Sequence, residues 1–186
     1  FKIISGSLKG RNFSFKDAHG LRPTSGKARE TLFNWLQFEI SGKTILDPFS
    51  GTGALGIEAL SRGASKVYFI EKNSKAFKTL ESNLNLLNPN QYNLINQDSI
   101  KYLEKGDLLP FDLIFLDPPF NKGLVPSILS LLSRKNLIST ESKIYIESEY
   151  EMNLEFLNSN IMKKCSMVKQ KKSGNVHYCL ISLEEL

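Results

Sequence analysis

Hydrophobic and polar positions along this chain change period several times. "KIISGSLKGRNFSF" places β-branched and aromatic residues on either side of a Gly/Ser/Lys turn, the pattern of a hairpin. In "SGKARETLFNWLQFEI", Ala28, Leu32, Trp35 and Leu36 recur at i, i+4, i+7 and i+8, one apolar helical face that predicts a helix. Strands and helices then alternate. "KTILD" precedes helix "GALGIEALSR", with Gly63 placed to close it. "KVYFIE" precedes helix "SKAFKTLESNLNLL", with Asn73 as N-cap and Asn88-Pro89 as its stop. "YNLINQ" leads to a short helix after Asp98, and "FDLIFLD" leads past two prolines to helix "VPSILSLLSR". "KIYIESE" follows, and "KKCSMVKQKK" and "VHYCLISL" read as a closing hairpin around Ser173-Gly174-Asn175.

Alternating β and α with apolar strands predicts an α/β fold, a mostly parallel sheet with helices on both faces and an antiparallel hairpin at the end. Such sheets bind ligands outside the carboxyl ends of their strands, near the point where strand order switches. Four consecutive strands end on acids here: Asp47, Glu71, Asp98 and Asp117. Solubility alone gives no reason for carboxylates at four of four strand ends.

The first strand runs into "DPFSGTGALG", where Gly51, Gly53 and Gly56 satisfy G-x-G-x-x-G and Glu71 lies 20 residues after Gly51. Taken alone, this meets the dinucleotide fingerprint. The Lys-Ser/Thr of a phosphate-binding P-loop is missing. Electrostatics separates the two remaining readings. A pyrophosphate beside Asp47 sets like charges together at a site of low dielectric. S-adenosylmethionine has no phosphate and presents an ammonium, a sulfonium and a ribose, which suit acids. Glu71 would accept from the ribose hydroxyls and Asp98 from the adenine amine, with the Ser99 amide donating to the ring. A tight turn holding no ligand is the plain alternative, and the accompanying acids count against it.

"DPPF", Asp117–Phe120, supplies the chemistry. An exocyclic amine of a base is a poor nucleophile because its lone pair is conjugated with the ring. Two acceptors, the Asp117 carboxylate and the Pro118 carbonyl, would bind both N–H groups and release the lone pair. Consecutive prolines keep that carbonyl stiff, and Phe120 would stack on the base. Read plainly, the same four residues stop a strand and put Phe120 in the core. The motif serves a guanine or an adenine amine equally.

Composition narrows the setting. The chain has 186 residues, which suits one domain, with 41% hydrophobic and 23% charged residues. No apolar run approaches the ~20 residues of a membrane span. Cys165 and Cys179 lack any CxxC spacing, which argues against zinc or a disulfide framework and for a reducing compartment. The +5 net charge resides in residues 1–30, with seven basic residues (Lys2, Lys9, Arg11, Lys16, Arg22, Lys27, Arg29) against Asp17 and Glu30. Lys163, Lys164, Lys169, Lys171 and Lys172 form a second cluster. Charge alone leaves both a polyanion surface and a solvated one open, and lysines also protect edge strands. His19 reads as a surface or turn histidine, His177 as structural, and Trp35 as core.

The combination of "LRPTSGKARETLFNWL", "LDPFSGTGALGIEALSRGA", "FIEKN" and "DPPF" resembles the bacterial RsmD-type methyltransferases, which modify the N2 amine of a guanine in 16S ribosomal RNA. The likeness spans nearly the whole chain. It implies a seven-stranded class I methyltransferase (Rossmann-like) fold: residues 1–186 as one domain, with 1–24 a hairpin extension and 25–186 the catalytic core. It implies S-adenosylmethionine held by Asp47, Phe49, Gly51, Gly53, Glu71, Asp98 and Ser99, and the target amine held by Asp117, Pro118 and Phe120. It sets Lys9, Arg11, Arg22, Lys27 and Arg29 toward RNA, and implies 16S rRNA or the 30S subunit or its assembly intermediate as partner. A cytoplasmic monomer without metal or membrane contact is the expectation. Pro48 and Ser5 depart from the family pattern, Pro48 within the loop that meets the cofactor. An adenine-N6 DNA methyltransferase, a nicotinamide-dependent oxidoreductase and a non-catalytic assembly factor are the alternatives.

Overall fold

The computed structural model describes residues 1–14 and 26–185. Arg22 and His19 lie outside the described residues. Seven strands form a sheet in the order β3-β2-β1-β4-β5-β7-β6, numbered along the chain. The chain divides into two compact units, Phe1–Asp98 and Ser99–Leu186.

The first unit contains α1 (Gly26–Trp35), β1 (Thr44–Asp47), α2 (Ala54–Ser61), β2 (Lys66–Ile70), α3 (Ser74–Leu84) and β3 (Tyr92–Ile95). The three strands are parallel, with Ile45 beside Val67 and Val67 beside Tyr92. All eight residues of α2 are buried, so this helix has no wet face. It ends in a Schellman turn: Gly63 at φ 94° bonds the Leu60 carbonyl, and Ala64 N bonds Ala59 O at 3.0 Å. The Asn73 side chain caps α3, accepting from Lys75 N at 3.0 Å and Ala76 N at 3.1 Å.

Helix α1 is shorter than its pattern predicts, and its buried stripe is rotated. After Trp35 the chain tightens into turns, with Glu39 N bonded to Leu36 O at 2.9 Å, which carry Ile40 into the core. Ala28, Leu32 and Leu36 are buried as expected, but Trp35 is half-exposed and Phe33 is wholly buried. The Phe33 ring meets the residue that caps α2: the Arg62 guanidinium sits 4.7 Å from its centroid.

Residues 1–13 fold back on themselves. Ile3 N bonds Arg11 O, Gly10 N bonds Ile3 O, and Phe13 N bonds Phe1 O, while the Phe1 and Phe13 rings stack at 5.7 Å. The pairing reduces to one isolated bridge, Lys2 with Asn12, so this hairpin has no ladder of its own and rests on the helices. Gly6 makes that contact possible: a Cβ there would lie 1.9 Å from Ser61 O.

The second unit contains α4 (Ser99–Lys105), β4 (Leu113–Leu116), α5 (Leu124–Arg134), β5 (Lys143–Ser148), α6 (Leu154–Asn160), β6 (Lys164–Ser173) and β7 (Val176–Glu184). β4 and β5 are parallel, and β7 runs antiparallel to both β5 and β6. Helix α6 was not among the predicted elements. Its seven residues are too few to show a period, and only Leu157 is buried. Its start was readable: the Asn153 side chain accepts from Phe156 N at 2.8 Å, and Glu155 occupies the first turn. β6 is the last strand of the sheet, so Lys164, Lys169, Lys171 and Lys172 stand exposed on an edge.

Candidate active site

In the first unit, Asp47 is the last residue of β1 and Glu71 directly follows β2; both are buried. Asp98 stands half-buried just ahead of α4, whose first residue, Ser99, is buried. Phe49 is half-buried in the loop after β1. Ser50 fixes that loop, its hydroxyl donating to Asp47 O at 2.7 Å and its amide to Ile70 O at 3.1 Å.

The 20-residue spacing between Gly51 and Glu71 has a direct cause. Glu71 Oε2 accepts from Gly51 N at 2.8 Å, and Oε1 accepts from Asn73 N at 2.6 Å. One carboxylate therefore joins the turn after β1 to the cap of α3. Each carboxylate oxygen has a second lone pair, so both remain able to accept a hydroxyl. Gly51 holds φ 52°, a conformation a side chain disfavours. The other two glycines answer to packing. A Cβ on Gly53 would meet Leu80 Cδ1 at 2.4 Å, and one on Gly56 would meet the Phe69 ring at 2.2 Å. Lys72 Nζ lies 3.9 Å from Asp98 Oδ2, the lysine exposed and the acid half-buried. The acids around this loop are acceptors, and two of them, Asp47 and Glu71, are buried. Buried carboxylates fit a cofactor carrying an ammonium, a sulfonium and ribose hydroxyls, and oppose a pyrophosphate.

In the second unit, Asp117 follows β4 directly. Pro118 is buried, Pro119 exposed, and Asp117 and Phe120 half-buried. Phe120 is neither wholly in the core nor free of it. Sequence reasoning missed three residues of β5 and its end. Leu116 of β4 pairs with Ile146, so Glu147 ranks beside Asp117. Glu147 is buried and accepts from the Tyr145 hydroxyl at 2.8 Å. Burial pushes the Tyr145 hydroxyl well above the usual phenol range; Glu147, through its charge and hydrogen bond, Asp117 and Tyr178 push it further. Glu149 Oε1 accepts from Asn121 N at 2.8 Å. The signal was "YIESE": Tyr145 and Glu147 alternate with Ile146 and Ser148 along β5, and Glu149 continues the alternation just past its end.

Of the basic residues assigned to RNA, Lys9, Arg11 and Lys27 are exposed. Arg29 is not, and its assignment is corrected: it is 6% exposed and faces inward. Its Nη2 donates to Lys2 O at 3.2 Å, its Nη1 lies 3.9 Å from Glu58 Oε2, and its guanidinium sits 5.4 Å from the Phe1 ring centroid. Burial lowers its pKa, opposed by the Glu58 charge. Glu58 is fully buried and also accepts from Ile4 N (2.8 Å), Ser5 N (3.0 Å) and Arg62 Nε (2.8 Å). The position lay inside an otherwise apolar helix, and that single charge was the available sign.

This fold, with an acid-lined glycine loop and an Asp-Pro-Pro-aromatic strand end, defines a class I methyltransferase. The whole chain has relatives of that kind. The family model described as "Conserved hypothetical protein 95" matches residues 1–182. "Ribosomal RNA small subunit methyltransferase D" of Buchnera aphidicola subsp. Acyrthosiphon pisum is 41% identical over 179 residues, 96% of this chain and 91% of that protein. The protein of the same name from Escherichia coli K12 is 38% identical over 184 residues, 98% of this chain and 90% of that one. Among solved structures, "Putative methyltransferase yhhF" from Escherichia coli superposes with a TM-score of 0.86 at 35% identity, covering 100% of this chain and 99% of that one. A putative methylase of Haemophilus influenzae gives 0.79 at 36% identity, covering 97% of each chain. The chain belongs to this family of S-adenosylmethionine-dependent methyltransferases. The nicotinamide-dependent alternative falls with that finding.

Proposed function

We propose that this protein transfers a methyl group from S-adenosylmethionine to the exocyclic N2 amine of a guanine in 16S rRNA, working as one catalytic domain and as a cytoplasmic monomer without metal. The observation that carries this reading is the Asp117–Phe120 strand end in a chain matched along its length by small-subunit rRNA methyltransferases.

The cofactor, when bound, supplies an electrophilic methyl on a sulfonium. Asp47, Glu71 and Asp98 accept from its amine and hydroxyl groups, Gly51 and Gly53 shape the turn beside it, and Phe49 and Ser99 border it. Asp117 and the Pro118 carbonyl would take the two N–H groups of the target amine and free its lone pair for attack. Phe120 stacks on the base. Transfer would exchange the cofactor's C–S bond for an N–C bond and leave a neutral thioether; Asp117 would stabilise the positive charge gained by the nitrogen and take the released proton late. The gain is positioning and electrostatic stabilisation. Lys9, Arg11 and Lys27, with Arg22, meet RNA phosphates.

Transfer of radiolabelled methyl is measured with unmethylated 30S particles, naked 16S rRNA, duplex DNA and protein as acceptors. Label in the 30S particle or its rRNA is expected. Label confined to DNA or protein overturns the reading.

A further inference from the structure

The two prolines stiffen only the first half of the Asp117–Asn121 loop. Phe120 and Asn121, the half that carries the base platform, have no such constraint. Asn121 sits at φ 58°, in the left-handed region that Asn tolerates better than most residues. What meets it there is Glu149, 28 residues away, whose Oε1 accepts the Asn121 amide at 2.8 Å.

The rim that carries Glu149 is fixed on both sides. Below it, Tyr145 and Glu147 are buried and bonded to each other, and the Tyr145 ring stacks on Tyr178 of β7 at 6.5 Å. Beside it, the buried Ser148 hydroxyl donates to the Tyr150 carbonyl, and the Tyr150 ring meets Phe156 of α6 edge-on at 5.9 Å. Glu149 is thus a charged acceptor mounted on a braced strand end, bonded to the backbone of the loop at the residue after Phe120. A hydrogen bond to a charged group is among the stronger ones a loop can use.

We propose that Glu149 is a positioning residue for methyl transfer: by holding the Asn121 amide it sets where Phe120 and the Pro118 carbonyl meet the target base. The inference rests on the amine-clamp reading of Asp117–Phe120. It requires an acceptor at Glu149, and the charge is secondary. The role needs no contact of Glu149 with substrate or cofactor.

The test compares Glu149→Ala, Glu149→Gln and Asp117→Ala for kcat, the KM of each substrate, cofactor affinity by calorimetry, and amide exchange at Asn121. Glu149→Ala is expected to lower kcat at least tenfold and to speed Asn121 exchange, with cofactor affinity and melting temperature unchanged. Glu149→Gln keeps an acceptor and is expected to restore kcat to within about threefold of the starting protein. A Glu149→Ala kcat within twofold of the starting protein, while Asn121 exchange is faster, overturns the inference. So does a Glu149→Gln variant as slow as the alanine variant. Failure of the amine-clamp reading looks different: Asp117→Ala would then retain turnover. If the acceptor proves to be another amine, the same comparison on that amine decides.

Discussion

Removing the Glu58 carboxylate should release the basic N-terminal segment. In Glu58→Ala, the amides of Ile4 and Ser5 lose their acceptor, and Arg29, at 6% exposure, loses the only acid within 4 Å among the described residues. An unsatisfied buried amide costs about 1–3 kcal/mol. Breaking a buried ion pair by removing one partner costs about 3–5 kcal/mol. These losses overlap, so about 3–5 kcal/mol is the working figure for the variant. In a chain of this size each kcal/mol moves Tm by about 2–4 °C, which gives a fall of roughly 6–20 °C. Thermal unfolding followed by circular dichroism measures it, with amide exchange over residues 1–14 as the local readout. Glu58→Gln keeps the shape and one acceptor, and should fall between the alanine variant and the starting protein. Replacing Arg29 and Glu58 together with methionine should cost less than Glu58→Ala, because the Arg29 guanidinium is no longer stranded, while Arg62 loses its acceptor in both variants. A Glu58→Ala melting temperature within 2 °C of the starting protein, with residues 1–14 equally protected, would refute this reasoning.

Gly56→Ala sets a Cβ 2.2 Å from Phe69 Cε1 and 3.0 Å from Val67 Cγ1, so overpacking should cost about 1–3 kcal/mol in chemical denaturation; an unchanged midpoint would contradict the packing account. Burial pushes the Cys165 thiol up to about 11 and the Cys179 thiol up to about 12. Neither should react with a disulfide reagent near pH 8 until the protein is unfolded, and rapid labelling of the folded chain would be the contrary result. The unfolded chain releases these protons near pH ~8.5 while the folded chain keeps them. Stability should therefore hold below that pH and decline above it, by up to ~1.4 kcal/mol per pH unit for each thiol. Alanine at Lys169, Lys171 and Lys172 should leave the salt dependence of RNA binding unchanged if these lysines only guard the β6 edge; a slope reduced by about 2–3 would assign them to phosphates.

The order of elements was legible because each strand reads as a run of β-branched and aromatic residues and most helices are long enough to show their period. α6 is not, and it was missed. Trp35 and Phe33 show a related limit: a helical pattern gives a face, but tertiary neighbours such as Arg62, just past α2, are not written in it. The strand-end acids could be read individually, since sheet rules say where strands end. Their partners could not. Nothing in the spacing says that Glu71 already holds the Gly51 and Asn73 amides, or that Gly53 and Gly56 answer to Leu80 and Phe69. Arg29 went wrong for a related reason. Charge in sequence reads as surface, and only the fold reveals the buried acid on α2 that draws this guanidinium inward. The partners of Glu147 and Glu149 were not legible, because β5 and the loop after β4 are far apart in sequence.

The central claim is amine methylation of guanine directed by Asp117. The direct measurement is the identity of the modified nucleoside. 30S particles treated with the protein and labelled cofactor are digested to nucleosides and separated by mass spectrometry, beside particles treated with Asp117→Ala. N2-methylguanosine made by the starting protein and absent from the variant, with cofactor binding intact in both, is the predicted result. Label recovered as N6-methyladenosine, or N2-methylguanosine made equally well by Asp117→Ala, would contradict it.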